Sequence, residues 1–200
     1  FEITYSNASG ANNTTAFDAI LLDTVPADFS LNLGSVAVTL GSGATGATNS
    51  SSGNNINISV DVIPTGGTVT VNYTATLLTS VEPGDVLTND ASVTYTSLPG
   101  PTGTAVNPTG SSTSGASGTD LGERNGSGTH NDYSDTDSVD VTANVPTVVK
   151  TLQGTGIDNL VNLAGEAVIG ETVQYQVVLT IPEGTTNAAQ LIDQLDAGLE

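Results

Sequence analysis

Cysteine is absent from this 200-residue chain, and so are methionine and tryptophan. Without cysteine there is no disulfide framework, no thiolate nucleophile and no sulfur-ligated metal. Cations are almost missing as well. Arg124 and Lys150 stand against 21 carboxylates, which leaves a formal net charge of −19. Such a chain repels phosphate backbones and anionic lipid, so nucleic acid and a bare membrane are not expected partners. The single histidine, His130, sits in a Gly/Ser/Thr-rich stretch, and neither a Ser–His–acid set nor a histidine metal site is suggested. No pair of carboxylates on a recognisable cleft stands out, so no catalytic residue is assigned and enzymatic activity is not expected. No apolar run approaches membrane-spanning length, and direct membrane insertion is not expected. The sequence opens at Phe1 inside a strand-like run, which puts any export signal outside it.

What the chain does have is period-two alternation. Phe1, Ile3 and Tyr5 share one face. Phe17 to Val25 forms a second run, closed by Pro26. Val36, Val38 and Leu40 make a third, followed by a polar stretch from Gly41 to Gly53. Ile56 to Val62 makes a fourth, ended by Pro64-Thr65-Gly66-Gly67. Val69 to Leu77 reads as one long fifth strand, and Val86 to Tyr95 as a sixth. Short Thr/Val/Ile runs punctuated by Gly, Asn and Pro, with no helix to supply crossovers, predict an all-β chain of sandwich spacing. The stretch from Ser97 to Asn131 carries almost nothing apolar and reads as a long structureless insertion. Alternation resumes at Val139 and Val141, which returns the chain to the same sheets. Asn144-Val145-Pro146 reads as a linker. The expected division is therefore a first β-sandwich over 1–144, with the insertion at 97–131, and the first part of a second over 145–200. Phe17–Asp23 and Ala188–Asp193 look like one element repeated, as tandem domains require.

Polar residues interrupt the apolar faces at a few places. Asn89 lies in register with Leu87, Ala91, Val93 and Tyr95. Lys150 lies between Val148 and Leu152. Asp23 lies between Leu21 and Val25, and Asp193 between Leu191 and Leu195. An unpaired buried charge is costly, so such groups neutralise or find partners. A lysine, an asparagine and an acid brought together suggest an intramolecular Lys–Asn isopeptide bond. Burial favours the neutral amine, which can attack the carboxamide while the acid shuttles protons. The bland alternatives are a hydrogen-bonded core asparagine, aspartates that open turns, and a lysine that reaches out to water.

These motifs resemble those of DUF11-type and isopeptide-forming, fimbrial-like immunoglobulin repeats of large bacterial surface proteins. The resemblance is carried by Val148-Val149-Lys150-Thr151-Leu152, Leu22-Asp23-Thr24-Val25-Pro26, Leu87 to Val93 and the opening Phe1 to Asn7. The stretch from Gly122-Glu123-Arg124 to Asn131-Asp132-Tyr133 is similar to a recurrent segment in very large surface proteins of aquatic bacteria. The resemblance implies tandem immunoglobulin-like sandwiches with a lysine early, an acid in the middle and an asparagine late in each. Domain one then shows Asp23 and Asn89 and needs a lysine before Phe1; domain two shows Lys150 and Asp193 and needs an asparagine after Glu200. It implies an extracellular, cell-surface segment of a fibre or adhesin stalk, whose partners are neighbouring repeats or identical subunits. A ligand- or carbohydrate-binding adhesive module, or a fibre subunit joined by donor-strand exchange, are the alternatives.

One more constellation concerns calcium. Asp132, Asp135, Asp137 and Asp140 are the densest set of oxygen ligands, and calcium takes six to eight oxygens. Read as a loop, this stretch is the candidate metal site, with Asp120, Glu123 and Asp158 as lesser contributors. The plain alternative is an acidic strand edge that blunts aggregation. Asn7, Asn57, Asn72 and Asn125 head Asn-X-Ser/Thr sequons, which a chain this rich in Ser and Thr supplies largely by chance.

Overall fold

The computed structural model describes residues 1–11, 13–115, 133–156, 165–182 and 189–199. Among these residues the regular structure is β-strand with one short 3-10 turn at Leu33–Ser35, and no α-helix. The chain divides into two compact units, Phe1–Thr142 and Ala143–Glu200.

The first unit holds β1 (Glu2–Ser6), β2 (Ala16–Thr24), β3 (Phe29–Leu31), β4 (Ala37–Gly41) and β5 (Thr45–Asn49). It continues with β6 (Asn55–Ile63), β7 (Thr68–Asn72), β8 (Ala75–Leu77), β9 (Val86–Thr96) and β10 (Tyr133–Thr142). They form an antiparallel three-stranded sheet in the order β1-β7-β4, a five-stranded sheet in the order β10-β9-β2-β6-β5, and a small ribbon of β3 with β8. The alternation explains the pairing of the layers. On β6, Ile56, Ile58 and Val60 are fully buried while Asn57, Ser59 and Asp61 are not; on β7, Val69 and Val71 are buried likewise. Both rows belong to one apolar core with Leu21, Val25, Phe29 and Leu31. Each such side chain contributes roughly 1.5–3 kcal/mol by leaving water. The result is sandwich-like.

Three details depart from the pattern reading. The polar stretch after Leu40 contains β5, an edge strand with every residue exposed. The chain reaches it through a turn at Gly41–Ala44, where Ser42 and Gly43 take positive φ. The fifth run is not one strand. It breaks at Tyr73–Thr74, so that β7 joins the three-stranded sheet and β8 pairs with β3. And the described part of the insertion, up to residue 115, is ordered by hydrogen bonds instead of being structureless. Asn107 is fully buried there. Its Nδ2 donates to the carbonyls of Gly100 and Ser111 at 2.7 and 3.0 Å, and its Oδ1 accepts from the Gly110 amide at 2.8 Å. A bulge in β2 at Asp18, with φ of 49°, anchors the loop: Asp18 Oδ2 accepts the Gly100 amide at 2.7 Å. Backbone that lacks a sheet partner here finds side-chain partners instead.

The second unit is described as an antiparallel ribbon of β11 (Thr147–Thr155) and β12 (Val173–Thr180), with Lys150 opposite Val177. The residues between β10 and β11 have no regular structure. The repeat of Phe17–Asp23 is visible only in sequence. Phe17–Asp23 lies within β2, whereas residues 189–195 form no strand, and Ala188 lies outside the described residues.

Candidate functional site

Two of the misplaced polar residues meet in the core of the first unit. Asp23 is carried by β2 and Asn89 by β9, strands that pair antiparallel with Asp23 opposite Ala91. Asn89 is therefore the next inward residue along β9. Tyr73 arrives from the opposite layer, just past the end of β7. It is locked at both backbone ends to Phe1, whose amino terminus donates to the Tyr73 carbonyl at 2.9 Å while the Tyr73 amide donates to the Phe1 carbonyl at 3.1 Å. The Phe1 ring stacks on the Tyr73 ring with centroids 5.1 Å apart.

All three polar side chains are buried: Asp23 is 1 % exposed, Tyr73 3 % and Asn89 4 %. The Tyr73 hydroxyl donates to Asp23 Oδ2 at 2.5 Å, and Asn89 Nδ2 donates to the same oxygen at 3.1 Å. Asn89 Nδ2 also lies 3.0 Å from the Tyr73 oxygen. Burial raises the Tyr73 pKa, and the bond to Asp23 and its charge raise it further, so the phenol stays a donor. The available donors converge on one carboxylate oxygen. Asp23 Oδ1 and Asn89 Oδ1, both buried, have no hydrogen-bond partner. Leaving a buried acceptor unmet costs about 1–3 kcal/mol. A group with two or more N–H bonds, such as an amine, a carboxamide or a guanidinium, could serve both oxygens at once.

The second unit holds a lysine–acid pair. Lys150 Nζ bonds Asp193 Oδ1 at 2.8 Å and lies 4.6 Å from the centroid of the Tyr175 ring. The Lys150 and Asp193 side chains are 35 and 38 % exposed. They are brought together as the pattern predicts, but in water's reach. Val148 and Leu152, expected to flank the lysine on an apolar face, are exposed too, because among the described residues no second layer covers the two-stranded ribbon.

The acidic stretch is strand and not loop. Asp135, Asp137 and Asp140 all lie on β10, which pairs with β9 along its whole length. By strand alternation Asp135 and Asp137 share one face and Asp140 takes the other, where its Oδ1 accepts the Thr88 hydroxyl at 2.6 Å. The Oδ1 atoms of Asp135 and Asp137 accept the amides of Thr136 and Ser138, each at 2.9 Å. Among the described residues no three acidic or histidine side chains gather as a metal ion requires. Asp132 lies outside the described residues, as do Asp120, Glu123, Arg124, Asn125, His130 and Asp158.

Tyr73 is the residue that pattern reading passed over. It was placed inward by its alternation with Val69 and Val71, and a buried phenol needs a hydrogen-bond partner; the nearest inward acid was the signal. Comparison with known proteins gives no match: no family model, no curated protein and no solved structure is similar to the chain at a significant level. The chemistry of the site is therefore read from its own geometry.

Proposed function

We propose that the chain is a structural segment of an extracellular bacterial fibre or adhesin stalk, composed of tandem immunoglobulin-like repeats that are locked by Lys–Asn isopeptide bonds. The supporting observation is the buried Asp23–Tyr73–Asn89 cluster with two acceptor oxygens unspent. In this reading a lysine amine in its neutral form attacks Cγ of Asn89. A new C–N bond forms, the bond from Cγ to the original amide nitrogen breaks, and that nitrogen leaves as ammonia. Asp23 takes the proton from the attacking nitrogen and returns it to the leaving one, so no oxidant or cofactor enters. Tyr73 holds Asp23 through Oδ2 and leaves Oδ1 free for that shuttle.

Such a bond serves a cysteine-free chain as a disulfide serves others, by tying strands covalently. Lys150 with Asp193 is the corresponding lysine–acid pair of the next repeat. The acidic surface keeps neighbouring fibres apart, and calcium screening that charge belongs to the same proposal. The test is intact mass and peptide mapping on a chain extended at both ends to whole repeats. The expected result is the loss of one ammonia per repeat, abolished at the first site by Asn89→Ala and at the second by Lys150→Ala. An unmodified mass sinks the cross-link.

A further inference from the structure

Charge is unevenly spread along the chain. From Phe29 to Val81 the sole charged residue is Asp61, although the whole sequence carries 21 carboxylates. This stretch supplies β3 to β8, and with them two sheet edges: β4 borders the three-stranded sheet and β5 the five-stranded one. A tight turn at Gly41–Ala44 joins the two, so one flank of the first unit is nearly neutral. The larger sheet therefore has unlike edges. β10 carries Asp135, Asp137 and Asp140, and such carboxylates guard an edge against pairing. β5 and its surroundings, from Gly41 to Val60, hold neither charge nor proline. Both sequence neighbours of β5 are accounted for, β4 in the other sheet and β6 beside it.

The phase of the ladder decides which backbone groups face outward. The Ser50 amide donates to the Asn57 carbonyl at 2.8 Å, and Ser52 and Asn55 exchange bonds at 2.9 Å. Bonded pairs alternate along an antiparallel ladder, so Gly46 and Thr48 turn their backbone toward β6. Thr45, Ala47 and Asn49 turn theirs away, on a strand where every residue is exposed. Asn49 Oδ1 closes the run by accepting the Ser51 amide at 3.0 Å. The nearest charge is Asp61, which leans from β6 over Gly46 so closely that only a glycine fits beneath it.

From these observations we infer that β5 pairs antiparallel with β5 of a second copy of this chain. Ala47 faces its own counterpart, and Thr45 of each copy faces Asn49 of the other, so the outward amides and carbonyls satisfy one another. Charge selects the occupant. A copy of net charge −19 meets least repulsion where both surfaces are neutral, and this flank is neutral on both. The two Asp61 carboxylates then stand about 8 Å apart, one strand across and two residues along, which leaves a small screened repulsion. The pairing uses up β5 in each copy. The outer edges of the joined sheet are the β10 strands with their carboxylates, so the two-fold contact closes at a dimer. A five-residue edge buries little, and contacts below about 1,200 Å² are weak and transient. The inference does not depend on any cross-link.

Sedimentation velocity of the 200-residue chain up to about 1 mM, with a chelator present, tests it. An amide-resolved NMR series over the same concentrations accompanies it. The expected result is a reversible monomer–dimer equilibrium that tightens as added salt screens the Asp61 repulsion. The amides of Thr45, Ala47 and Asn49 shift with concentration, while those of Gly46 and Thr48, already turned to β6, shift less. Ala47→Pro removes only an outward N–H, and Ala47→Asp sets like charges face to face. Each leaves the exposed site folded and weakens the dimer about fivefold or more. Asp61→Asn strengthens it about twofold. A chain that stays monomeric throughout, its edge left to water or to some other partner, overturns the inference. So does association that both Ala47 variants leave unchanged, and so do shifts centred on β4, β10 or the second unit.

Discussion

The two units carry similar polar groups in opposite surroundings. In the first, an acid and an amide are sealed between two sheets and share one phenol. In the second, an acid and a lysine meet on a ribbon with a third of each side chain in water. The difference lies in layers and not in residue type. An aspartate in alternation with leucine is buried only where a second sheet covers it, as β7 and its flanks cover β2. The same pattern on β11 leaves Val148 and Leu152 wet. Electrostatic stakes follow the burial, since an orphan acceptor in the core is expensive while an exposed ion pair contributes about 0–1 kcal/mol.

The comparison breaks most visibly in the apolar residues. Ile58→Ala removes a fully buried side chain from the shared core and should cost about 2–5 kcal/mol in denaturant unfolding. Val148→Ala, on an exposed face, should change stability by no more than about 0.5 kcal/mol. Equal effects at the two sites would show that β11 is covered in solution. Next in size is Tyr73→Phe. It strips Asp23 Oδ2 of its short bond and leaves only the Asn89 donor, for an expected loss of about 1–3 kcal/mol. Lys150→Ala is its counterpart in the second unit and should cost about 1 kcal/mol or less. A larger loss at Lys150 than at Tyr73 would invert the contrast drawn between the units.

A pH series sharpens the same contrast. Burial pushes the Tyr5 phenol from its ordinary 10.0 up to about 12. Because the folded chain holds this proton more tightly than the unfolded one, the stability is complete below pH 10 and falls as pH rises toward 12. Tyr73 and Tyr95 are shifted in the same direction, both chiefly by burial, with Asp23 adding at Tyr73 and Asp135 at Tyr95. Alkaline unfolding of the first unit should therefore set in above pH 10, and Tyr5→Phe should flatten part of that slope. A slope unchanged by Tyr5→Phe, with the tyrosines titrating near pH 10, would mean that the Tyr5 hydroxyl is open to water.

Much of the first unit was legible because its strands are rich in β-branched residues with one apolar face. Ile56, Ile58 and Val60 announce both a strand and its buried side. The inward placement of Asp23 and Asn89 followed from the same alternation. What escaped had no apolar signal. β5 is Thr-Gly-Ala-Thr-Asn, an edge strand that buries nothing, so its place depends on the pairing offered by β6. The ordering around Asn107 depends on one amide satisfying three backbone groups, which composition cannot reveal. The break at Thr74 was hidden because β7 and β8 keep the same alternation while joining different sheets. Whether Lys150 is buried was not legible for a physical reason: period two identifies a face, but not whether anything lies against it.

The smallest expected effect concerns calcium. Asp135 and Asp137 stand two residues apart on one face of β10, and Asp140 points to the other face and is engaged by Thr88. Two parallel carboxylates repel each other, so a divalent ion near them relieves some charge, but two side chains cannot complete a shell of six to eight oxygens. Calcium should therefore raise the thermal midpoint of the first unit slightly, and a chelator should reverse it. With about 1 kcal/mol or less at stake, the shift should stay within roughly 2–4 °C for a chain of this size. Asp135→Asn should remove most of it, whereas Asp140→Asn should not. A much larger shift, or one equally sensitive to Asp140→Asn, would mean that oxygens outside β10, with Asp132 the nearest in sequence, close a true coordination shell.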